Sequence, residues 1–120
     1  MARVVVLGAS KKEDRYSYRA VRLLVEKGHS VVPIHPLLDE ILGQKVVPTI
    51  KDVTGDVDTL TLYVNPKLVE KNIDDIIAMN PKRIIANPGT ESDLAIEKFR
   101  NAGIEVLTAC TLVMLTTNQF

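Results

Sequence analysis

Short runs of consecutive apolar residues alternate along this chain with segments whose apolar residues recur every three or four positions. Val4 to Leu7 is a β-branched run that ends at Gly8, and Ser30 to Ile34 is a second run that ends before His35-Pro36. Strands buried on both faces of a sheet have this continuous pattern, so we predict a strand at each place. Further strands are predicted in the same way at residues 57–64, 83–86 and 104–107.

Helical spacing fills the intervals between these runs. Ala20, Val21, Leu24 and Val25 predict a helix from about Tyr16 to Lys27, which Gly28 would end in a left-handed conformation. Asn65-Pro66 is typical of a helix start, and Ala95, Phe99 and Ala102 share one helical face before Gly103. The helix after Asn65 is predicted to continue through Val69, Ile73, Ile76 and Ile77. Residues 37–53 are less regular, and we expect only a small edge strand there.

Strands that alternate with helices of about a dozen residues predict crossover units and a parallel sheet. We therefore expect an α/β fold: a doubly wound, mostly parallel sheet of about five to six strands with helices on both faces. A length of 120 residues with 46% hydrophobic residues fits a single domain over residues 1–120. The apolar residues 112–115 near the end predict either a last core element or a docking segment.

Charge and cysteine content narrow the classes of partner. Fifteen basic residues balance fifteen acidic ones, which offers no global positive field for nucleic acid. No apolar run approaches the length of a membrane span. Cys110 is the only cysteine, so an intrachain disulfide is excluded and a reducing, cytoplasmic location is expected. We expect neither nucleic acid nor a membrane as a partner.

Candidate binding residues follow the predicted strands, because ligands of such sheets bind at the carboxyl ends of the strands, where strand order reverses. Gly8-Ala9-Ser10 and the loop that follows lead into a helix amino terminus, which suits a phosphate. Lys11, Lys12, Arg15 and Arg19 add positive charge, although a solvated loop with ordinary salt bridges explains the same residues. Three more segments should meet this loop: Pro33-Ile34-His35-Pro36, Val64-Asn65-Pro66 and Asn87-Pro88-Gly89.

Several chemistries are disfavoured by the residues at these positions. A dinucleotide fingerprint would need glycine where Ser10 and Glu13 stand, and the second strand ends without an acidic residue for a ribose. No Walker motif and no metal-ligand spacing is present. Cys110 is expected to be a mostly buried, slowly reacting thiol. Asn65 is explained as a helix cap, and Asn87-Pro88-Gly89 as a turn.

Taken in order, these residues resemble the CoA-binding domain family. The similarity is to its small, single-domain, YccU-like members and, more remotely, to the amino-terminal domain of the succinyl-CoA synthetase alpha subunit. It rests on the segments Val4–Ser10, Tyr18-Arg19, Gly28–Pro36, Ile41-Leu42-Gly43, Pro48-Thr49-Ile50, Val57–Leu60, Asn65-Pro66 and Ala102-Gly103-Ile104. The Pro-x-x-Pro end of the second strand, with Leu-Gly shortly after it, is the most specific part.

The resemblance implies a Rossmann-like fold that binds coenzyme A without necessarily acting on it, and we expect a binding protein for coenzyme A or an acyl-CoA with no catalytic activity of its own. Carried over residue by residue, it assigns the phosphates to Gly8, Ala9, Ser10 and Lys11, supported by Arg15, Ser17 and Tyr18. Pro36 would wall the adenine end. The pantetheine arm would pass Val64, Asn65, Pro66, Asn87, Pro88 and Gly89.

Two alternatives remain open from the residues alone. One is another nucleotide such as NAD(P) in the same crevice. The other is a protein-interaction or scaffold domain with a degenerate pocket, since the chain contains no tryptophan and Thr108-Ala109-Cys110 lacks the arginine that family members carry there. The protein partner is not indicated by the sequence.

Overall fold

Five parallel strands form the central sheet of the protein, whose computed structural model describes residues 1–120. In chain order the strands are β1 Arg3–Leu7, β2 Ser30–Ile34, β3 Glu40–Ile41, β4 Gln44–Lys45, β5 Thr59–Leu62, β6 Arg83–Ala86 and β7 Glu105–Thr108. The helices are α1 Tyr16–Glu26, α2 Pro66–Lys71, α3 Ile73–Met79, α4 Asp93–Asn101 and α5 Thr111–Thr116, and a 3-10 turn spans Ile50–Asp52.

The strand order of the sheet is β2-β1-β5-β6-β7, with every neighbouring pair parallel. The chain passes from β1 to β2 on one side and then crosses to β5 on the other side. Strand order therefore reverses between β1 and β5, and this opens a crevice at their carboxyl ends. The predicted α/β, doubly wound parallel sheet is confirmed.

Alternate residues of the strands face two separate apolar cores. Val5 and Leu7 face the core that α2, α3 and α4 cover, in which Phe99 and Ile76 are fully buried. On the opposite side of the sheet, Val4 packs in the core beneath α1 and α5. Burial on both faces is the reason that these strands are continuously apolar.

The small edge strand expected within residues 37–53 is not found at the edge of the main sheet. Strands β3 and β4 pair with each other as an antiparallel hairpin, and Val47 makes only a single bridge to Ile34 of the main sheet. Leu42 and Gly43 form the turn, with φ of 51° and 77°. Two successive positive φ values are typical of the tight turn that joins hairpin strands. The sequence does not reveal this turn, because Leu42 stands where asparagine, aspartate or glycine is usual.

The predicted continuous helix after Asn65 is interrupted at Asn72. The side-chain amide of Asn72 donates to the carbonyl of Leu68 (2.8 Å), which the Asn72 N–H would otherwise use. That N–H instead donates to Val69 (3.0 Å), so α2 ends and α3 begins. Competition from an asparagine side chain is a local effect that apolar spacing does not reveal.

The apolar residues near the end form α5, in which Leu115 is buried in the core beside α1 and Val113 is exposed. The segment is thus the last core element, one of the two predicted roles. None of the helices combines the length and the apolar character needed to cross a membrane.

Candidate functional site

Three adjoining cavities form a groove at the carboxyl ends of β1, β5 and β6. The central cavity, about 360 Å³, lies against Gly8, Arg15 and Asn65. The outer cavity, about 290 Å³, lies against Pro36 and Pro48 and shares Gly8 and Val64 with the central one. The inner cavity, about 280 Å³, lies against Cys110 and Leu112 and shares Tyr16, Tyr63 and Pro88 with the central one. The shared residues make the groove continuous.

A larger cavity, about 510 Å³, lies at the opposite ends of the strands, against His29, Asp58, Arg83 and Phe120. Phe120 is one of its walls, with the His29 ring 5.0 Å away and the Arg83 guanidinium 4.6 Å from the ring centre. Because this cavity is at the amino ends of the strands and is widely open, the groove remains the candidate site. Burial lowers the pKa of His29, whose Nδ1 accepts from the Ala2 N–H (3.1 Å).

Gly8 forms the floor between the outer and central cavities. Its φ is +90°, and a Cβ at this position would lie 2.7 Å from the carbonyl oxygen of Tyr63 and 2.8 Å from Cγ1 of Val64. Any side chain would therefore both strain the backbone and collide with the end of β5. The absence of a side chain brings the main chain of β1 close to a ligand in the groove.

Helix α1 points its amino terminus into the central cavity. Arg15, Tyr16 and Ser17 line that cavity, and no side chain caps the helix at Arg15. The two neighbouring helix starts differ, because Asn65 caps α2 (2.9 Å to the Leu68 N–H) and Ser92 caps α4 (3.1 Å to the Ala95 N–H). The first-turn N–H groups of α1 are thus available to an anion, and the helix dipole and the exposed Arg15 favour one.

The loop before α1 is held by its own hydrogen bonds. The hydroxyl of Ser10 accepts from the Lys12 N–H (3.0 Å), and the Arg15 N–H donates to the Lys12 carbonyl (3.0 Å). The Ala9 N–H donates to Ile34 at the end of β2 (3.2 Å). These bonds shape a turn that carries Arg15 over the central cavity.

His35 shapes the outer cavity. Its Nδ1 accepts hydrogen bonds from the backbone N–H groups of Leu37 (3.0 Å) and Leu38 (3.2 Å). The backbone N–H of His35 donates to the carbonyl oxygen of Val47 (3.1 Å). With Nδ1 acting as an acceptor twice, the imidazole acts as a turn residue beside Pro36, which lines the cavity together with Pro48.

Asn87 is buried between the central and inner cavities and uses its whole carboxamide internally. Its Nδ2 donates to the Thr61 hydroxyl and to the Leu62 carbonyl, both at 2.7 Å. Its Oδ1 accepts from the Thr111 N–H at 2.8 Å. Asn87 therefore joins β5, β6 and α5 and is a structural residue of the groove wall, which the interpretation as a simple turn did not foresee.

Tyr63 lines both the central cavity and the inner one. Its hydroxyl is fully buried without a hydrogen-bond partner, and burial raises the pKa of Tyr63 to about 12. The hydroxyls of Thr111 and Thr61 lie beside it and act in the opposite direction, although neither has the geometry of a hydrogen bond with it. The ring is thus the part of Tyr63 that a ligand in the groove contacts.

The titratable residues of the groove are few. Arg15, Tyr16 and Tyr63 line the central cavity, which has no carboxylate, imidazole or thiol on its wall. No group of three His, Cys, Asp or Glu side chains is placed to hold a metal ion. The arrangement can bind an anion and an extended chain, and it offers no nucleophile paired with a base.

Comparison with known proteins shows the family of this chain. The family model described as CoA binding domain matches residues 2–116. The chain belongs to this family. The resemblance inferred from the sequence is confirmed, and it covers the whole groove.

Relatives of this CoA binding domain differ widely in length. The uncharacterised protein YneT of Bacillus subtilis is 23% identical over 105 residues, which are 88% of this chain and 78% of YneT. The ADP-forming acetate–CoA ligase of Methanocaldococcus jannaschii is 32% identical over 72 residues, which are 60% of this chain and only 10% of the ligase.

Solved structures show the same division. A crystal structure of an uncharacterised protein has a TM-score of 0.94 at 38% identity and covers 100% of this chain and 98% of that one. The dinucleotide forming acetyl-coenzyme A synthetase 1 of Ca. Korarchaeum cryptofilum, in complex with phosphate and ADP, has a TM-score of 0.79 at 27% identity over 90% of this chain and 25% of the synthetase. The domain thus occurs in proteins of about this length and within longer enzymes.

The CoA binding domain brings most of the predicted site residues to the groove. The central cavity is lined by eight of them, which are Gly8, Ser10, Arg15, Ser17, Val64, Asn65, Pro88 and Gly89. Ala9 and Pro36 line the outer cavity, and Asn87 lines the inner one. Lys11, Tyr18 and Pro66 line none of the three. Lys11 is exposed in the loop, Tyr18 packs against the core beneath α1, and Pro66 begins α2.

Sequence reasoning missed Tyr16, Tyr63 and Leu112 as groove residues. Tyr63 lies at the end of a predicted strand, next to the predicted Val64, so its position was the available signal. Leu112 comes to the groove only because Asn87 anchors the start of α5. The expectation of a mostly buried Cys110 agrees with its intermediate exposure, and the residue lines the inner cavity.

Proposed function

We propose that this protein binds coenzyme A, or an acyl-CoA, in the groove and does not transform it. The observation that carries the proposal is the uncapped amino terminus of α1, which faces the central cavity beside Gly8 and Arg15. A diphosphate needs this combination of free N–H groups, close backbone approach and a nearby cation. Membership of the CoA binding domain family supports the choice of ligand.

The groove suggests an orientation for the bound cofactor. The diphosphate would lie over residues 8–11 and the first turn of α1, with Arg15 and Ser17 beside it. The adenine would enter the outer cavity against Pro36, which is opposite Pro48. The pantetheine arm would then run along Val64–Pro66 and Pro88-Gly89 toward the inner cavity. Tyr18 would support the site only through its packing behind α1.

Binding without catalysis is supported by the two cavities along the pantetheine path, because the central one carries no acid, imidazole or thiol, and the inner one carries Cys110 with no acid or imidazole beside it. Nucleophilic catalysis requires a nucleophile with a base in reach. The ligase reactions of longer relatives are therefore not proposed for this chain. A direct check is thiol release from an acyl-CoA, which we expect to stay at the rate of the buffer control.

Calorimetric titration with coenzyme A, dephospho-CoA and NAD tests the ligand. We expect micromolar binding of coenzyme A, weaker binding of dephospho-CoA because it lacks the 3′-phosphate, and little heat from NAD. Binding of NAD as tight as that of coenzyme A would contradict the proposal in favour of a dinucleotide. The absence of heat from all three would contradict any nucleotide function of the groove.

A further inference from the structure

The inner cavity differs in character from the rest of the groove. It encloses about 280 Å³ and is the most enclosed of the groove's three cavities. Its walls are the rings of Tyr16, Tyr63 and Pro88 and the side chain of Leu112, with Asn87 and Cys110 completing it. An apolar cavity of about 150 Å³ is sufficient to bind a benzene ring, so this space holds a short hydrocarbon chain.

The buried polar side chains of this wall, Asn87 and Tyr63, are not available to a ligand, whereas Tyr16 is exposed. Both amide hydrogens of Asn87 and its oxygen bond to Thr61, Leu62 and Thr111, at 2.7 to 2.8 Å. The Tyr63 hydroxyl is buried behind its own ring. Cys110 contributes a thiol, which behaves as a small and weakly polar group. A polar ligand group placed against Asn87 and Tyr63 would lose its water without gaining a hydrogen bond from them, a cost that a hydrocarbon does not have.

The inner cavity is also in line with the path of the cofactor. Tyr16, Tyr63 and Pro88 line both this cavity and the central one, so they form the passage between the two. A ligand that enters from the phosphate end of the central cavity meets this passage last. The part of coenzyme A farthest from its phosphates is the sulfur, which carries the acyl group in a thioester.

We propose that the inner cavity binds the acyl group of a short-chain acyl-CoA, so that the thioester and not free coenzyme A is the preferred ligand. The proposal rests on the proposed function, because it requires the cofactor to lie in the central cavity. It assigns Leu112 and the two tyrosine rings to recognition of the hydrocarbon chain. The size of the cavity limits the acyl group to a chain of about four to six carbons.

Titration of the wild-type protein with coenzyme A, acetyl-CoA, butyryl-CoA, hexanoyl-CoA and dodecanoyl-CoA tests the assignment. Each methylene that is buried raises affinity roughly fourfold, so butyryl-CoA, which has two more methylenes, should bind roughly sixteenfold more tightly than acetyl-CoA. The gain should end near six carbons, and dodecanoyl-CoA should bind no better than hexanoyl-CoA. Coenzyme A binding with the same affinity as every thioester would overturn this inference and leave the proposed function intact. No binding of any member would overturn both.

A pair of variants on α5 locates the effect. Leu112→Trp fills the inner cavity, and Val113→Trp places the same side chain on the exposed face of the same helix. We expect Leu112→Trp to bind butyryl-CoA only as tightly as it binds coenzyme A. Val113→Trp should keep the full preference for butyryl-CoA. Equal loss of preference in both variants, or none in Leu112→Trp, would place the acyl group elsewhere. The wild-type chain-length series decides the question if Leu112→Trp does not fold.

Discussion

The side-chain oxygen of Asn87 accepts a 2.8 Å hydrogen bond from the backbone N–H of Thr111, and so ties the end of β6 to the start of α5. The Thr111 hydroxyl continues the connection to Thr61 of β5, also at 2.8 Å. All of these groups are buried. The inner cavity has its shape because this network holds α5, with Leu112, against the carboxyl ends of two strands.

Replacement of Asn87 should therefore be costly for stability. Asn87→Ala leaves the Thr111 N–H and the Leu62 carbonyl buried without their partner, and each unsatisfied group costs about 1–3 kcal/mol. We expect the free energy of unfolding to fall by about 2–4 kcal/mol, measured by urea denaturation. Asn101→Ala, at an exposed position in α4, is the control and should change it by less than about 0.5 kcal/mol. Equal effects of the two variants would contradict the structural role of Asn87.

Gly8→Ala should impair both folding and ligand binding through a collision. The added Cβ would lie 2.7 Å from the Tyr63 carbonyl oxygen. Gly103→Ala is a matched control, since Gly103 has nearly the same φ, +85°, with no atom within 4 Å of its Cβ position. We expect Gly103→Ala to show only the backbone penalty of about 1–2 kcal/mol, and Gly8→Ala to lose clearly more and to bind coenzyme A poorly. Thermal unfolding and calorimetry report the two effects, and identical unfolding of both variants would exclude the collision.

Arg15 should contribute to affinity through its charge and little to stability. Arg15→Ala is expected to weaken coenzyme A binding roughly tenfold to a hundredfold with an unchanged melting temperature, because a charge-assisted hydrogen bond is lost only in the complex. Arg22→Ala, exposed on α1 away from the groove, should bind as wild type does. Added salt should narrow the difference between Arg15→Ala and wild type. If Arg15→Ala binds as tightly as wild type at low salt, Arg15 is not in the phosphate site.

The raised pKa of Tyr63 predicts that the folded protein loses stability at alkaline pH. Its pKa is about 12 in the folded protein and 10.0 as a free side chain, so the folded state favours the neutral phenol. The resulting stability is fully present below pH 10 and is lost as pH rises through 12, with about 1 kcal/mol lost by pH 11. Urea denaturation of wild type and Tyr63→Phe between pH 8 and about pH 11 measures this fall in the free energy of unfolding. The variant has no phenol at position 63, so its free energy of unfolding should fall less than that of wild type. Tyr63→Phe should be at least as stable as wild type at pH 8, because the hydroxyl it removes is buried and unpartnered.

Cys110 reports on occupancy of the inner cavity. Its thiol is partly exposed there, so iodoacetamide should alkylate the native protein measurably but more slowly than the urea-unfolded chain. Saturating butyryl-CoA should slow the native reaction more than saturating coenzyme A does, because only the acyl group enters the cavity. Equal protection by both ligands would indicate that the cofactor ends short of Cys110 or covers it without an acyl group.

The strands and the order of elements could be predicted from the sequence because they depend on local patterns. Val4 to Leu7 is apolar at every position, which is possible only where both faces are covered, and Asn65-Pro66 supplies a helix cap and a start in adjacent residues. Doubly wound topology then follows from alternation and from the handedness of crossovers. Gly8 marked the loop before α1 as a candidate site for the same reason, since it directly follows a buried strand.

The groove's walls were decided by tertiary structure. Tyr63, Pro48 and Leu112 are distant along the chain and line one groove only because β1 and β5 are neighbours and α5 folds back over the sheet. Helix α2 ends at Asn72 because the side chain of Asn72 takes the carbonyl of Leu68 that the helix would use. The sequence predicted a turn at Asn87 but did not show that its side chain is buried and bonds to Thr111. Local spacing determines which elements form, because each element's pattern is contained within it. The shape of a cavity depends on contacts between elements, which the spacing within any one of them does not encode.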